Sequence, residues 1–186
     1  PPYYFPLSQA ELIRYVRRLV AELPLPLVLY NMPAMTKVSF EPETIRQLLD
    51  EPQIIGLKDS SRQMDYFVTV RQITRQRPDW SLLVGFEHML VDTIAAGGDG
   101  GVLAGANVSP RLLVGLYEAA LQADHRRIEQ LQQALSIQRQ IYTVGSGSTP
   151  SLQGITCALA LRRICSDRMA EPYYGLPTDE RDQIAA

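Results

Sequence analysis

Two apolar runs in this chain end in reactive polar side chains: Leu25-Pro26-Leu27-Val28-Leu29-Tyr30-Asn31 and Ile54-Ile55-Gly56-Leu57-Lys58-Asp59. A phenol and an amine at the same end of consecutive buried strands suit carbonyl chemistry. Lys58 closes an otherwise apolar strand, where desolvation disfavours the ammonium and leaves a free amine able to attack a ketone and form a Schiff base. The plainer alternative for Lys58 alone is a stem packed on the strand with its head in water. Tyr30 lies within one strand spacing, about 4.8 Å, if the two runs are neighbours. There the phenol can relay protons during carbinolamine formation and bond cleavage. Its alternative is an aromatic cap on a rim, with the hydroxyl in solvent.

Other motifs carry less chemistry. Pro33, two residues past the first run, can fix the loop that carries Tyr30. Asp59, Ser60 and Ser61 read as loop and helix-start residues whose oxygens accept from free backbone amides. Gly97-Gly98-Asp99-Gly100-Gly101 lacks the G-x-G-x-x-G order, because Leu103 stands where the last glycine belongs, and it precedes a strand; it reads as a tight turn. Gly145-Ser146-Gly147-Ser148-Thr149-Pro150 has no Walker lysine and reads as a helix connection. His88, in Gly85-Phe86-Glu87-His88, sits at another strand end, able to touch a substrate or simply to begin a helix. Cys157 and Cys165 are eight apart with no C-x-x-C spacing, so they read as two buried core thiols, with no metal or redox role.

The elements that must position these groups alternate. Ser8-Gln9-Ala10-Glu11 has capping-box spacing and opens a helix from about Ser8 to Leu23 with one apolar face, Leu12, Val16, Leu19, Val20 and Leu23. The Leu25 to Tyr30 run is short and uniformly apolar, which predicts a strand buried on both faces. A helix from Pro42 stops before Pro52. Then follow strand Ile54 to Lys58, helix Met64 to Arg77, strand Ser81 to Gly85, helix His88 to Ala96 and strand Gly101 to Ala104. This order predicts right-handed βαβ units with a parallel sheet. From Ser109 the pattern is helical only: Ser109 to Ala123, Asp124 to Val144 and Pro150 to Ser166, then a Pro/Tyr-rich stretch and a short polar end. The fold class is therefore α/β, with residues 1–108 as a βα region and 109–186 as a helical one.

At 186 residues and 46% hydrophobic content the chain can bury a sizeable core. A net charge of −2 and a pI near 5.7 leave no basic footprint for nucleic acid or an anionic membrane. The arginine-rich stretches, Arg71 to Arg77 and Arg126-Arg127, read as solvated helix faces. No apolar stretch approaches the roughly 20 residues that cross a bilayer, and a cytoplasmic location is expected. A closed (β/α)8 barrel needs eight strands and typically about 250 residues. Four strands are legible here, so the chain is either a small open sheet or the second half of a barrel.

The motifs Pro2-Tyr3-Tyr4, Tyr30-Asn31-x-Pro33-x-x-Thr36, Gly56-x-Lys58-Asp59, and Gly97-x-Asp99-Gly100 through Asn107 and Pro110 share order and spacing with the dihydrodipicolinate synthase and N-acetylneuraminate lyase family, which the whole chain resembles. The resemblance implies the second half of a TIM (β/α)8 barrel plus a C-terminal helical extension. It also implies Schiff-base chemistry on pyruvate and an aldehyde or 2-oxo acid, without metal or organic cofactor, in a homo-oligomer. By resemblance Lys58 is the Schiff-base lysine, Tyr30 the proton-shuttling tyrosine, and Tyr4 a tyrosine that reaches a neighbouring subunit's proton relay. The backbone near Val102 resembles the wall of the pyruvate pocket, and Met35, Thr36 and Gly85 complete the expected substrate-binding set.

Two departures from the family pattern matter. Synthase-type members carry an arginine where this chain has Met35, and a thioether cannot make a bidentate charge-assisted contact with a carboxylate. That points away from true dihydrodipicolinate synthase and toward an aldolase or lyase for a 2-keto-3-deoxy sugar acid. Lys37 replaces a usual glycine and is expected to alter the loop. By resemblance the chain also starts at the end of the fourth strand, without the glycine-threonine loop that holds the pyruvate carboxylate. A catalytically silent half-barrel acting only in assembly or binding is the competing reading, and an unrelated doubly wound nucleotide-binding domain is disfavoured by the lack of a phosphate-binding glycine loop.

Overall fold

The computed structural model describes residues 1–2 and 4–185. Tyr3, part of the Pro2-Tyr3-Tyr4 motif, lies outside them. The chain forms two compact units, Pro1–Val102 and Leu103–Ala186.

The first unit holds α1 (Gln9–Glu22), β1 (Leu27–Asn31), the short α2 (Pro33–Thr36), α3 (Pro42–Leu48), β2 (Ile54–Asp59), α4 (Met64–Thr74), β3 (Ser81–Val84), α5 (Leu90–Ala95) and β4 (Gly100–Gly101). The expected capping box is present, Ser8 accepting from the Glu11 amide while the Glu11 carboxylate accepts from the Ser8 amide. The strands form one parallel sheet in chain order, β1-β2-β3-β4. Parallel neighbours joined by helices match the βα alternation of the sequence, and the fold is that of the expected half-barrel.

One face of this sheet is the core. Leu29, Leu57, Leu82 and Val84 are buried on it, and so are the apolar stripes of α1 (Leu12, Val16, Val20), α3 (Ile45, Leu48) and α4 (Phe67, Val70, Ile73). The other face is open, against the expectation of a strand buried on both sides: Val28 is 42% and Tyr30 44% exposed. Uniform apolarity in the β1 run concealed this, since side chains still alternate at period two.

Three more expectations change in this unit. The last strand covers only Gly100–Gly101, not Gly101 to Ala104, because the chain enters a 3-10 turn at Ala104–Asn107. Arg71 and Arg77 are not plain solvated residues. Arg71 faces Asp99 at 3.6 Å, and Arg77 donates to the Leu49 carbonyl at 2.6 Å while chelating Asp79. Leu49 caps α3, so the Arg77 guanidinium satisfies a carbonyl that the helix end leaves free. Lys37 takes a left-handed conformation (φ 58°, ψ 9°) and its amide donates to the Pro33 carbonyl, so the turn keeps a glycine-like geometry despite the side chain.

The second unit is helical: α6 (Pro110–Leu121), α7 (His125–Gln138), α8 (Pro150–Leu161) and α9 (Thr178–Ala185). The expected helix to Val144 breaks at Gln138 into a 3-10 turn, Arg139–Tyr142, and the polar end is itself helical. Gly154 lets the Ile141 carbonyl approach α8, since a Cβ there would lie 1.8 Å from that oxygen. Cys157 is buried on α8, and burial pushes its thiol pKa up. Cys165 is exposed, contrary to expectation, because α8 ends four residues before it. No described helix is long and apolar enough to cross a membrane.

Candidate active site

Tyr30 and Lys58 are register partners on adjacent strands, so both point to the open face of the sheet. The Lys58 ammonium nitrogen lies 4.2 Å from the centroid of the Tyr30 ring, over its face. The two side chains share one half-open face, and the amine meets the ring rather than the hydroxyl. Gly85, directly after β3, flanks the same lysine: a Cβ on Gly85 would come 3.2 Å from the Lys58 Cε and 1.9 Å from the Ser60 Oγ. Glycine is required there for the lysine stem and the Ser60 hydroxyl to occupy their positions.

One residue further along each strand, side chains point into the core and make a polar layer. Asn31 donates from Nδ2 to Asp59 Oδ1 at 2.8 Å, and its own Oδ1 accepts from the Phe40 amide and the Ser39 hydroxyl. Both residues are fully buried. Asp59 also accepts from the Ser61 amide and hydroxyl, at 3.1 and 2.9 Å. Desolvation pushes the Asp59 pKa above its usual 3.8, against the opposing pull of its Asn31 and Ser61 hydrogen bonds. Tyr66 donates to the Phe40 carbonyl at 2.7 Å, and burial beside the Asp59 charge raises its phenol pKa. Asp59 is thus a strand residue that also organises the following turn, which the sequence presented as a loop residue only.

That turn continues through Ser61, whose hydroxyl accepts from the Gln63 amide at 3.1 Å. Between them Arg62 is held at φ 64°, and its guanidinium carbon lies 4.4 Å over the Phe86 ring. The His88 ring stands 5.8 Å from Phe86.

The remaining expected site residues are placed separately. Met35 is 70% exposed on α2, and Thr36 donates its hydroxyl to the Met32 and Val38 carbonyls, which commits its proton to its own turn. Val102 is exposed, its amide donating to the Val84 carbonyl at the sheet edge. Tyr4 precedes α1, 79% exposed, its ring edge-on to Phe5. Among the described residues no cluster of three His, Cys, Asp or Glu side chains could hold a metal ion.

Comparison with known proteins now bears on this arrangement. The model of the dihydrodipicolinate synthetase family matches residues 1–186. The chain belongs to that family. It is 32% identical over its whole length to a 4-hydroxy-tetrahydrodipicolinate synthase of Thermomicrobium roseum, covering 59% of that protein. It is 31% identical over 98% of its length to YagE of Escherichia coli K12, a candidate 2-dehydro-3-deoxy-D-gluconate aldolase, covering 61% of it. Among solved structures, dihydrodipicolinate synthase from Bacteroides thetaiotaomicron superposes with a TM-score of 0.94 at 45% identity, over 99% of this chain and 62% of that one. YagE in complex with pyruvate superposes with a TM-score of 0.87 at 29% identity, over 98% and 61%. The chain thus spans about three-fifths of the length of these family members.

Sequence reasoning on this family member singled out Tyr30, Lys58 and Gly85, which the fold brings together. It did not find the Arg62–Phe86 stack. The polar run Asp59-Ser60-Ser61 signals a side-chain-stabilised turn, but a positive φ at an arginine has no sequence signature.

Proposed function

We propose that the protein is a pyruvate-dependent Schiff-base aldolase or lyase, with Lys58 as nucleophile, Tyr30 as proton relay, and a 2-keto-3-deoxy sugar acid as the substrate type. The observation that carries this reading is the amine of Lys58 lying 4.2 Å over the ring of Tyr30 on one face of adjacent strands. In the proposed reaction the free amine of Lys58 adds to the C2 carbonyl of the oxo acid. The carbinolamine oxygen, protonated through the Tyr30 hydroxyl, leaves as water and an iminium remains. In cleavage the Tyr30 phenolate left by that protonation takes the C4 hydroxyl proton, the C3–C4 bond breaks with its electron pair entering the iminium to give an enamine, and the aldehyde departs. Protonation of the enamine at C3 and addition of water to the resulting iminium then release pyruvate and restore the Lys58 amine. Synthesis runs the same steps backwards. Because Nζ faces the ring and not the hydroxyl, Tyr30 acts on the carbinolamine oxygen and not directly on the amine.

Pyruvate bound to YagE supports pyruvate as the common partner. The aldehyde is less constrained, since both synthases and sugar-acid aldolases are similar to this chain. Met35 favours the sugar-acid side, because no guanidinium stands at that loop position. Val102, Thr36 and Gly85 are assigned to the substrate pocket and Tyr4 to a homo-oligomer contact, in a cytoplasmic enzyme. Residues 1–108 are taken as the barrel portion and 109–186 as its last helix with the C-terminal helices.

The test is reductive trapping. The chain has two lysines, Lys37 and Lys58, so Lys37 serves as an internal control. Treatment with pyruvate and borohydride, then digestion and mass spectrometry, is expected to place the adduct on Lys58 alone. Equal labelling of Lys37, or no label at all, would remove the catalytic reading and leave a binding or assembly module of the same family.

A further inference from the structure

We infer that Arg62 is a specificity-determining residue of the Lys58 site, holding an anionic group, carboxylate or phosphate, at the end of the substrate remote from the carbonyl. The inference rests on the aldolase reading and adds to it the charge of the substrate's tail.

Three observations carry it. First, Arg62 sits at φ 64°, a left-handed conformation that is unfavourable for a residue with a Cβ. Strain of this kind persists only where the surroundings over-determine it, and it clusters at ligand clamps. Here they do: the Asp59 carboxylate fixes Ser61 through two hydrogen bonds, and Ser61 fixes Gln63, so the backbone on both sides of Arg62 is tied down. The same carboxylate is anchored to Asn31 and immediately follows Lys58, which links the presentation of Arg62 to the strand carrying the amine.

Second, the guanidinium is laid on Phe86, 4.4 Å from its ring. The ring accepts no conventional hydrogen bond, and among the described residues the guanidinium has no protein acceptor, so its N–H fork, the part that matches carboxylate or phosphate oxygens, remains available. Third, a chain of contacts joins this cation to the reactive amine. Phe86 follows Gly85, where an added Cβ would lie 3.2 Å from the Lys58 Cε, so the backbone before Phe86 borders the lysine stem, and the Lys58 amine lies over Tyr30. Arg62 therefore stands at the same strand-end rim as Lys58, displaced toward β3. An oxo acid bound to Lys58 by its C2 carbon extends its tail along this rim, where a neutral hydroxymethyl end gains little from a guanidinium and an anionic end gains a charge-assisted fork.

The experiment compares wild type with Arg62→Met, Arg62→Lys and Phe86→Leu in aldol addition of pyruvate to three acceptors: glyceraldehyde (neutral), succinic semialdehyde (carboxylate) and glyceraldehyde 3-phosphate. Arg62→Met is expected to raise KM for one anionic acceptor at least tenfold, with kcat within twofold and KM for glyceraldehyde unchanged. Which anionic acceptor responds identifies the group. Arg62→Lys, which keeps charge but not the fork, should recover only part of the affinity, and Phe86→Leu should raise the same KM severalfold. Equal KM changes for neutral and anionic acceptors, or none, overturn the inference. Calorimetric titration of wild type and Arg62→Met with inorganic phosphate and with malonate reads the anion site without turnover: binding weakened at least tenfold by the substitution supports the inference, and binding unaffected by it, or absent in both proteins, overturns it. Failure of pyruvate to trap on Lys58, with Arg62-dependent anion binding intact, overturns the aldolase reading alone.

Discussion

Tyr30 faces Lys58 because the register between β1 and β2 slips by one residue. Leu27 pairs with Ile54, but Val28 pairs with Gly56, so Ile55 has no register partner on β1. Without that slip Tyr30 would oppose Leu57, whose side chain points into the core, and the amine would lie on the other face from the phenol. The same slip sets Asn31 against Asp59 in the buried layer behind. The face that carries Tyr30 and Lys58 and the buried layer that anchors Asp59 are thus two consequences of one extra residue.

The anchoring pair has a measurable weight. Asn31→Ala removes the donor to Asp59 and the acceptor of the Phe40 amide, both buried. Leaving such groups unpaired costs about 2–3 kcal/mol. A urea titration should show a lower midpoint with an unchanged slope; a midpoint equal to wild type would mean that water replaces Asn31 without loss.

The raised Asp59 pKa gives a pH signature with a definite sign. A carboxyl group whose folded pKa lies above its unfolded value binds protons more tightly in the native state, so its contribution to stability is complete below the ordinary value of 3.8 and is lost as pH climbs through the raised value. Asp59→Asn lacks this term. The stability of wild type relative to Asp59→Asn should therefore fall as pH rises from the ordinary value through the elevated one, and a difference that stays flat or rises over that range contradicts the assignment.

Gly85→Ala places a methyl carbon 1.9 Å from the Ser60 hydroxyl oxygen and 3.2 Å from the Lys58 Cε. Overpacking of this kind costs about 1–3 kcal/mol. Ser60→Ala in the same chain removes the oxygen, so the double variant should recover part of the loss, giving a coupling of opposite sign to the single effects in a double-mutant cycle. Independent, additive effects would show that the two positions do not touch.

Lys37 occupies a left-handed helix cap. Glycine adopts that conformation without the Cβ penalty of about 1–2 kcal/mol, while its freer unfolded chain gives back roughly half. Lys37→Gly should raise stability by about 0.5–1 kcal/mol, read as a higher thermal midpoint. Because Lys58 would then be the one lysine left, pyruvate trapping on this variant also leaves a single labelled site.

Much of this protein was legible from the chain alone, because the governing interactions are local. The capping box at Ser8 and Glu11, prolines at helix starts such as Pro42 and Pro110, and apolar runs of strand length each specify an element through neighbours a few residues away. Those signals also placed Tyr30 and Lys58 at corresponding strand ends. Other features depend on residues distant in sequence. Exposure of Tyr30 follows from which sheet face the helices cover; the register of β1 on β2 follows from an unpaired Ile55; and the partner of Asp59 is Asn31, 28 positions away. The stacking of Arg62 on Phe86 requires two strand-end loops to meet. Side-chain type is a property of the sequence, but the face on which a side chain emerges, and what it meets there, is decided when strands pair and one side of the sheet is buried.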